Sequence, residues 1–393
     1  NQIEICGDDM AKVKLGDICE IVSGSTPKTS IDEYWDGDID WITPAEISED
    51  TYIVEESVRK LTQLGVEKTG LKPFPKGTVI LSSRAPIGKV AIAGKEMYCN
   101  QGFKNLICSD KVLPEYLYWF LRGNTAYLNS LGRGATFKEI SKGIVAEIEI
   151  NLPDKKEQQL SVDTLKKVWD VIVVRRQELE QLDLLIKARF VEMFGDENNS
   201  LNWDMVNVED VADVQVGVVI KPSQYYTGKK DGIPAFRSLN IGEGFIKNMD
   251  WVYFSQEGND KNSKSILKEN DLLIVRSGAP GTACVVTKEF EGYNAIDIII
   301  AHPDCSKVNP YYLCTYTNIP HGKKQIQEGT GGAAQQHFNV GKYNKLKLML
   351  PPVELQNEFV GFIKQVDKSK FAVQKSLDEA QLLFDSLMQE YFG

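Results

Sequence analysis

Histidine is scarce in this chain, and what there is has no metal-binding arrangement. The 393 residues include only His302, His321 and His337, from which no metal-ligand spacing emerges. The seven cysteines (Cys6, Cys19, Cys99, Cys108, Cys284, Cys305 and Cys314) are odd in number and contain no C-x-x-C pair. They read as reduced, mostly buried small hydrophobes of a cytosolic protein rather than a disulfide frame. No apolar run approaches the roughly 18 residues a membrane helix needs; DVIVV and DIIIA are short and each carries an acid. A phosphate-cradling G-x-x-x-x-G-K-S/T loop is missing. So are an N/D-P-P-Y/F catalytic loop and a Gly-rich fingerprint for S-adenosylmethionine. PDKKE (153–157) resembles a nuclease acid cluster only faintly: it lacks a matching upstream acid and reads as a solvated junction. Nothing at the start resembles a signal peptide, although the first residue is Asn1 rather than Met.

What is present fits an ordinary soluble protein of two or more domains, 42% hydrophobic and 25% charged. A net charge of −10 argues against a generic polyanion binder, so any nucleic-acid role rests on local patches.

The chain nearly repeats itself. FVEMFG (190–195) is echoed by MQEYFG (388–393). VKLGDICEIVSGSTPK (13–28) matches VNVEDVADVQVGVVIKP (206–222) at a shift of 193. At 194, IDWITPAEI (39–47) meets IPAFRSLNI (233–241), and GTVILSSRAPIG (77–88) meets NDLLIVRSGAPG (270–281). LPEYLYWFL (113–121) meets NPYYLCTYT (309–317) at 196, and LPDKKEQQ (152–159) meets LPPVELQN (350–357) at 198. Five ordered matches with slowly drifting spacing are the mark of a duplicated unit. The expected division is residues 1–154, a first mixed domain; 155–199, a central helix; 200–352, a second domain; and 353–393, a C-terminal helix.

Within each domain IDWIT, GTVILSS and VAEIEI read as strands. PEYLYWFLRG and PYYLCTYTN open on Pro and suit short buried helices. GRGATFK and GTGGAAQQ read as loops. The fold class is α/β, of an α+β kind with a small, partly antiparallel sheet, in tandem.

The two helical segments share a 3-4-3-4 seam. In the first it runs through Leu165, Val168, Ile172, Leu179, Leu182 and Ile186; in the second, through Val366, Val373, Leu377, Phe384 and Leu387. Each carries a cation within the seam, Arg175 and Lys370, a common register device. Two independent amphipathic helices would also satisfy this pattern. Equal length and phase favour an antiparallel coiled coil, a rod of about 57 Å for 38 residues at about 1.5 Å each.

Charge is uneven. Residues 32–56 hold ten acids and no Lys or Arg, whereas 68–111 hold eight cations against two acids and 321–347 five against one. These cations adjoin Gly-rich loops and the amides Asn100, Gln101, Gln335 and Gln336, a mixture able to neutralise phosphates and read base edges.

VKLGDICEIVSGSTPK, DWITPAEI, SSRAPIGKVAI, CNQGFKNLI, GATFKEIS, INLPDKKEQQ and LDLLIKARFVEMFG together resemble the specificity subunits of type I restriction–modification systems, over nearly the whole chain. The second domain departs most, with GGAAQQHFNVG in place of GATFKEIS. The resemblance implies two target-recognition domains, each reading one half of a split double-stranded DNA target, with the paired helices as spacer and docking surface. It implies a cytoplasmic, non-catalytic chain. The chemistry would belong to two adenine-N6 methyltransferase subunits using S-adenosylmethionine, and to translocase–endonuclease subunits using ATP and Mg.

Ser25, Thr26, Lys28, Thr43, Arg84, Lys104, Arg133, Thr136 and Lys138 are the candidate DNA contacts in the first domain. Lys221, Arg237, Arg276, Gln335, Gln336, His337 and Lys342 are those in the second. Arg237 aligns with Thr43 and Arg276 with Ser82, so charge differs where two heads would read different bases. A protein-binding coiled-coil adaptor and a self-contained DNA methyltransferase or nuclease are the competing readings.

Overall fold

In a computed structural model of the chain, residues 12–84, 86–134, 138–329 and 338–393 are described. They fall into two compact units: the residues up to Gln177 together with Gln374–Gly393, and Glu178–Val373. Each unit therefore contains one domain, half of the first long helix (Lys155–Phe194) and half of the second (Val353–Phe392).

The first domain has strands β1 (Lys12–Lys14), β2 (Cys19–Ser23), β3 (Trp35–Ile42), β4 (Ile53–Val54), β5 (Lys60–Leu61), β6 (Val79–Leu81), β7 (Val90–Ala93), β8 (Tyr98–Cys99), β9 (Lys104–Cys108) and β10 (Glu149–Asn151). They form sheets ordered β2-β9-β6-β7-β4, β5-β3-β8 and β1-β10. The second has β11 (Met205–Asn207), β12 (Ala212–Val216), β13 (Ile233–Phe236), β14 (Val252–Phe254), β15 (Leu272–Val275), β16 (Ala283–Val285), β17 (Asn294–Ala295), β18 (Ile298–Pro303) and β19 (Lys347–Met349). Their orders, β12-β18-β15-β16, β14-β13-β17 and β11-β19, are the same plan without the edge strand β4. Most pairs are antiparallel; β3–β8, β4–β7 and β13–β17 are parallel. The class is thus α+β in tandem, on the antiparallel side of the expectation.

VAEIEI is not a single strand. Ser141 caps a short helix, Lys142–Ala146, by accepting the Ile144 amide, and only Glu149–Asn151 is extended. A capping serine ahead of the run outweighs its β-branched residues.

Strand alternation explains why each main sheet is covered on both faces. Val79, Leu81, Val90, Ile92 and Leu106 join the core beneath the helices, while Ile80, Ala91 and Ala93 pack on the other side with Ile42, Phe74 and Phe103. Likewise Leu272, Ile274, Val285 and Ile299 face the helices, and Leu273, Val275, Cys284 and Ile300 face Phe236 and Phe290.

The helix Pro114–Gly123 lies on one sheet and Pro310–Asn318 on the other. Tyr116 donates its hydroxyl to the Asn151 carbonyl (3.1 Å), as Tyr312 does to Met349 (2.8 Å). The echoed endings now have a use. Phe392 packs on Tyr116, ring centroids 5.0 Å apart, and Phe194 packs on Tyr312 at 4.9 Å. Each helix leaves one domain and ends against the other domain's tyrosine.

That exchange makes the helices run oppositely within each unit. In the first, Trp169 meets Phe384 at 5.4 Å, and Leu165, Val168 and Ile172 share a core with Leu377 and Leu387. In the second, Ile186 and Phe190 share a core with Phe359 and Ile363, and Lys370 reaches Asp183 at 2.6 Å. Of the seam positions, Leu165, Ile172, Val366, Val373 and Phe384 are buried and the rest half-buried, and the charged side chains between them are mostly exposed.

One further residue recurs. Gln158 is buried at the start of the first long helix, accepting from the Leu113 amide (2.9 Å) and donating to the Lys111 and Pro153 carbonyls (3.1 and 2.9 Å). Gln356 does the same with Asn309, Lys307 and Pro351 (2.7, 3.2 and 2.8 Å).

Candidate nucleic-acid interface

In the first domain the rim is built where β2, β3 and β8 end. Gly24 runs so close to the Cys99 and Asn100 carbonyls that any Cβ there would collide with them. This lets Ser25 donate its amide to Cys99 O (3.0 Å) while its own carbonyl accepts from the Trp41 indole (3.0 Å). Thr26 donates to the Gln101 side chain, and the Trp35 indole to Lys28 O (3.3 Å). Thr43 follows β3, its hydroxyl and amide both given to Glu46 (2.8 and 2.7 Å).

A second cluster adjoins through the Ser83 amide, which donates to Gly102 O (2.7 Å). Glu139 is its centre: it accepts from Arg84 Nε (3.1 Å) and Lys104 Nζ (3.3 Å), and Lys104 also reaches Ser83 Oγ (3.2 Å). Burial opposes ionisation of Glu139, but the hydrogen bonds and charges of Lys104 and Arg84 outweigh it and hold the carboxyl below the usual glutamate range. Arg84 stays half open, gripped through Nε, so its two terminal nitrogens lie outside that contact. Lys104 is nearly closed off, with 9% of its side chain exposed. It therefore orders Glu139 and Arg84 rather than offering a free charge. Arg133 and Lys138 are exposed, and Arg133 is bridged by its backbone to Glu139. Thr136 lies outside the described residues.

The second domain repeats the frame with other side chains. Gly217 approaches the Ala295 carbonyl as Gly24 approaches Cys99. Arg237 stands where Thr43 does: its amide goes to Asn240 (2.9 Å), as Thr43's goes to Glu46. Its guanidinium donates to Asp250 O. Arg276 is braced by Phe338 O (3.2 Å) and paired with Asp297. Its partner in the first domain is Ser83, not Ser82. Phe338 donates its amide to Arg276 O as Ile140 does to Ser83 O, and β15 pairs with β16 as β6 does with β7 at a shift of 193. Lys221, with φ +45, and Lys342 are exposed. Gln335, Gln336 and His337 lie outside the described residues.

The spacing of charges did not reveal Glu139 or Asp297, the acids that hold the arginines. Glu139 lay in GATFKEIS between Lys138 and Lys142, where an acid between loop cations was the available signal; Asp297, at the head of DIIIA, has no cation near it in sequence.

A family profile described as Type I restriction modification DNA specificity domain matches twice, over residues 7–184 and 200–380. The chain belongs to the type I restriction modification DNA specificity family. Each specificity domain carries one rim. The type I restriction enzyme MjaIX specificity subunit of Methanocaldococcus jannaschii is 28% identical over 97% of this chain and 91% of its own length. The EcoDI specificity subunit of Escherichia coli is 24% identical, over 97% and 86%. The fold is shared with a solved type I S subunit from M. genitalium, with TM-score 0.58 and 15% identity, covering 100% of this chain and 98% of that one. It is also shared with a chain of a type I R-M system solved for its complex assembly and conformational transition. There the TM-score is 0.55 at 18% identity, covering 97% of each. Among the described residues, no helix is long and apolar enough to cross a membrane.

Proposed function

We propose that the chain is the cytoplasmic sequence-reading subunit of a type I restriction–modification complex. Each domain reads one half of an asymmetric, interrupted duplex target, and the paired helices set the gap. The observation that carries this reading is the two rims: one backbone frame, filled by Thr43 and Ser83 in the first domain and by Arg237 and Arg276 in the second. Equal frames with unequal contents suit two half-sites of different sequence. Arginine forks make bidentate contacts to guanine, worth about 1–3 kcal/mol of discrimination each. Lys28, Lys138, Lys221 and Lys342 supply phosphate contacts that add affinity without sequence choice.

The helices also offer docking. Leu184 and Leu185 are 54% and 46% exposed, and their repeats Leu382 and Leu383 are 74% and 51% exposed. Exposed leucine pairs at equivalent places suit two copies of one partner, the methyltransferase. In this reading the chain does no chemistry itself: S-adenosylmethionine, ATP and Mg belong to the methyltransferase and translocase–endonuclease subunits.

The test is fluorescence anisotropy of the full chain on a duplex selected from a random library and on a scrambled duplex, from 50 to 200 mM salt. Both should show steep salt dependence. Arg84→Ala and Arg237→Ala should weaken the selected duplex by about 1–3 kcal/mol and the scrambled one far less. Equal loss on both would remove base reading, and absence of DNA binding would favour a protein adaptor. Methyl transfer by the purified chain alone would contradict the non-catalytic assignment.

A further inference from the structure

The segment after Gly217 differs in kind from its counterpart. In the first domain it is Ser25-Thr26-Pro27-Lys28, with Thr26 bonded to Gln101 and Pro27 buried. In the second it is Val218-Val219-Ile220-Lys221. Val218 is fixed by its backbone to Ala295 O (2.8 Å) and by the Asp297 amide (3.2 Å), and Asp297 is the residue paired with Arg276. The two residues beyond this anchor are left to water: Val219 is 49% exposed and Ile220 80%. The anchored backbone denies them a retreat into the core. Two adjacent exposed aliphatics, followed by an exposed lysine, sit where the other head has Thr26 and the buried Pro27.

We propose that Val219 and Ile220 read thymine methyl groups in the half-site of the second domain, an inference that rests on the DNA-reading role above. The thymine C5 methyl is the apolar feature a base pair presents in the major groove, and the minor groove has no equivalent. Lys221 is placed for phosphate beside it, and Arg276 for a neighbouring base edge or phosphate. The second half-site is then expected to contain thymine next to the position read by arginine.

The experiment selects duplexes with the full chain from random libraries, then compares the selected duplex carrying thymidine with one carrying deoxyuridine, which lacks only the methyl. Loss of each contacted methyl should weaken binding roughly threefold to tenfold, in one half-site alone. Ile220→Ser and Val219→Ser, both at exposed positions, should keep the wild-type circular dichroism spectrum. They should bind the two duplexes within about twofold of each other. Equal wild-type affinity for thymidine and deoxyuridine, or discrimination that survives both substitutions, would overturn the proposal. So would a selected half-site without thymine. Failure to select any duplex would instead overturn the DNA-reading role itself.

Discussion

Gln158 and Gln356 show how much can hang on one side chain. Each is buried, and each closes three backbone hydrogen bonds between the loop before a domain helix and the start of a long helix. Truncation leaves a cavity and strands one amide and two carbonyls, a cost of about 2–4 kcal/mol. Native-state hydrogen exchange should therefore speed up within the first unit for Gln158→Ala and within the second for Gln356→Ala; faster exchange in both units from either change would mean they do not act locally. These glutamines were visible in LPDKKEQQ and LPPVELQN, but as parts of a junction, because sequence does not show which carbonyls a chain end will meet. Lys104 teaches the converse. Its charge was legible and its burial was not, since burial depends on Glu139, thirty-five residues away. The one-residue error at Arg276 has a similar origin: GTVILSS and NDLLIVRS align equally well in two registers until strand pairing chooses one.

Among elements, the long helices were the most legible, because a 3-4 seam is a local pattern that survives whatever packs on it. None of the seam positions is fully exposed, and five are buried; Trp169, Phe190 and Phe359, buried on the same helices, were not among them. Strand order was not readable: β9 inserts between β2 and β6, and β18 between β12 and β15, by contacts distant in sequence. The helices support a length prediction. A matched heptad inserted after Gln177 and after Val373, where the two units divide, preserves the seam and lengthens each helix by about 10 Å. That is about three base pairs of duplex. The gap tolerated between half-sites, measured by binding to duplexes of graded spacing, should lengthen by about three while the half-sites stay the same. An unchanged gap would reduce the helices to docking elements.

For the molecule as a whole, duplication supplies the logic. One domain plan was used twice, each helix was sent to finish against the other domain, and the rims diverged in charge while the frame held. The sequence displayed the repeat and the family resemblance; it did not display the exchange of helix ends, which became clear only when Phe194 met Tyr312 and Phe392 met Tyr116. If two unlike heads read one target, the modified DNA must carry two unlike words. The direct measurement is to co-express the chain with its methyltransferase partner and map methylated adenines across a genome. A single asymmetric motif, two specified parts separated by a fixed run of unspecified bases, is the expected result. A continuous motif, or a palindrome with identical halves, would contradict it.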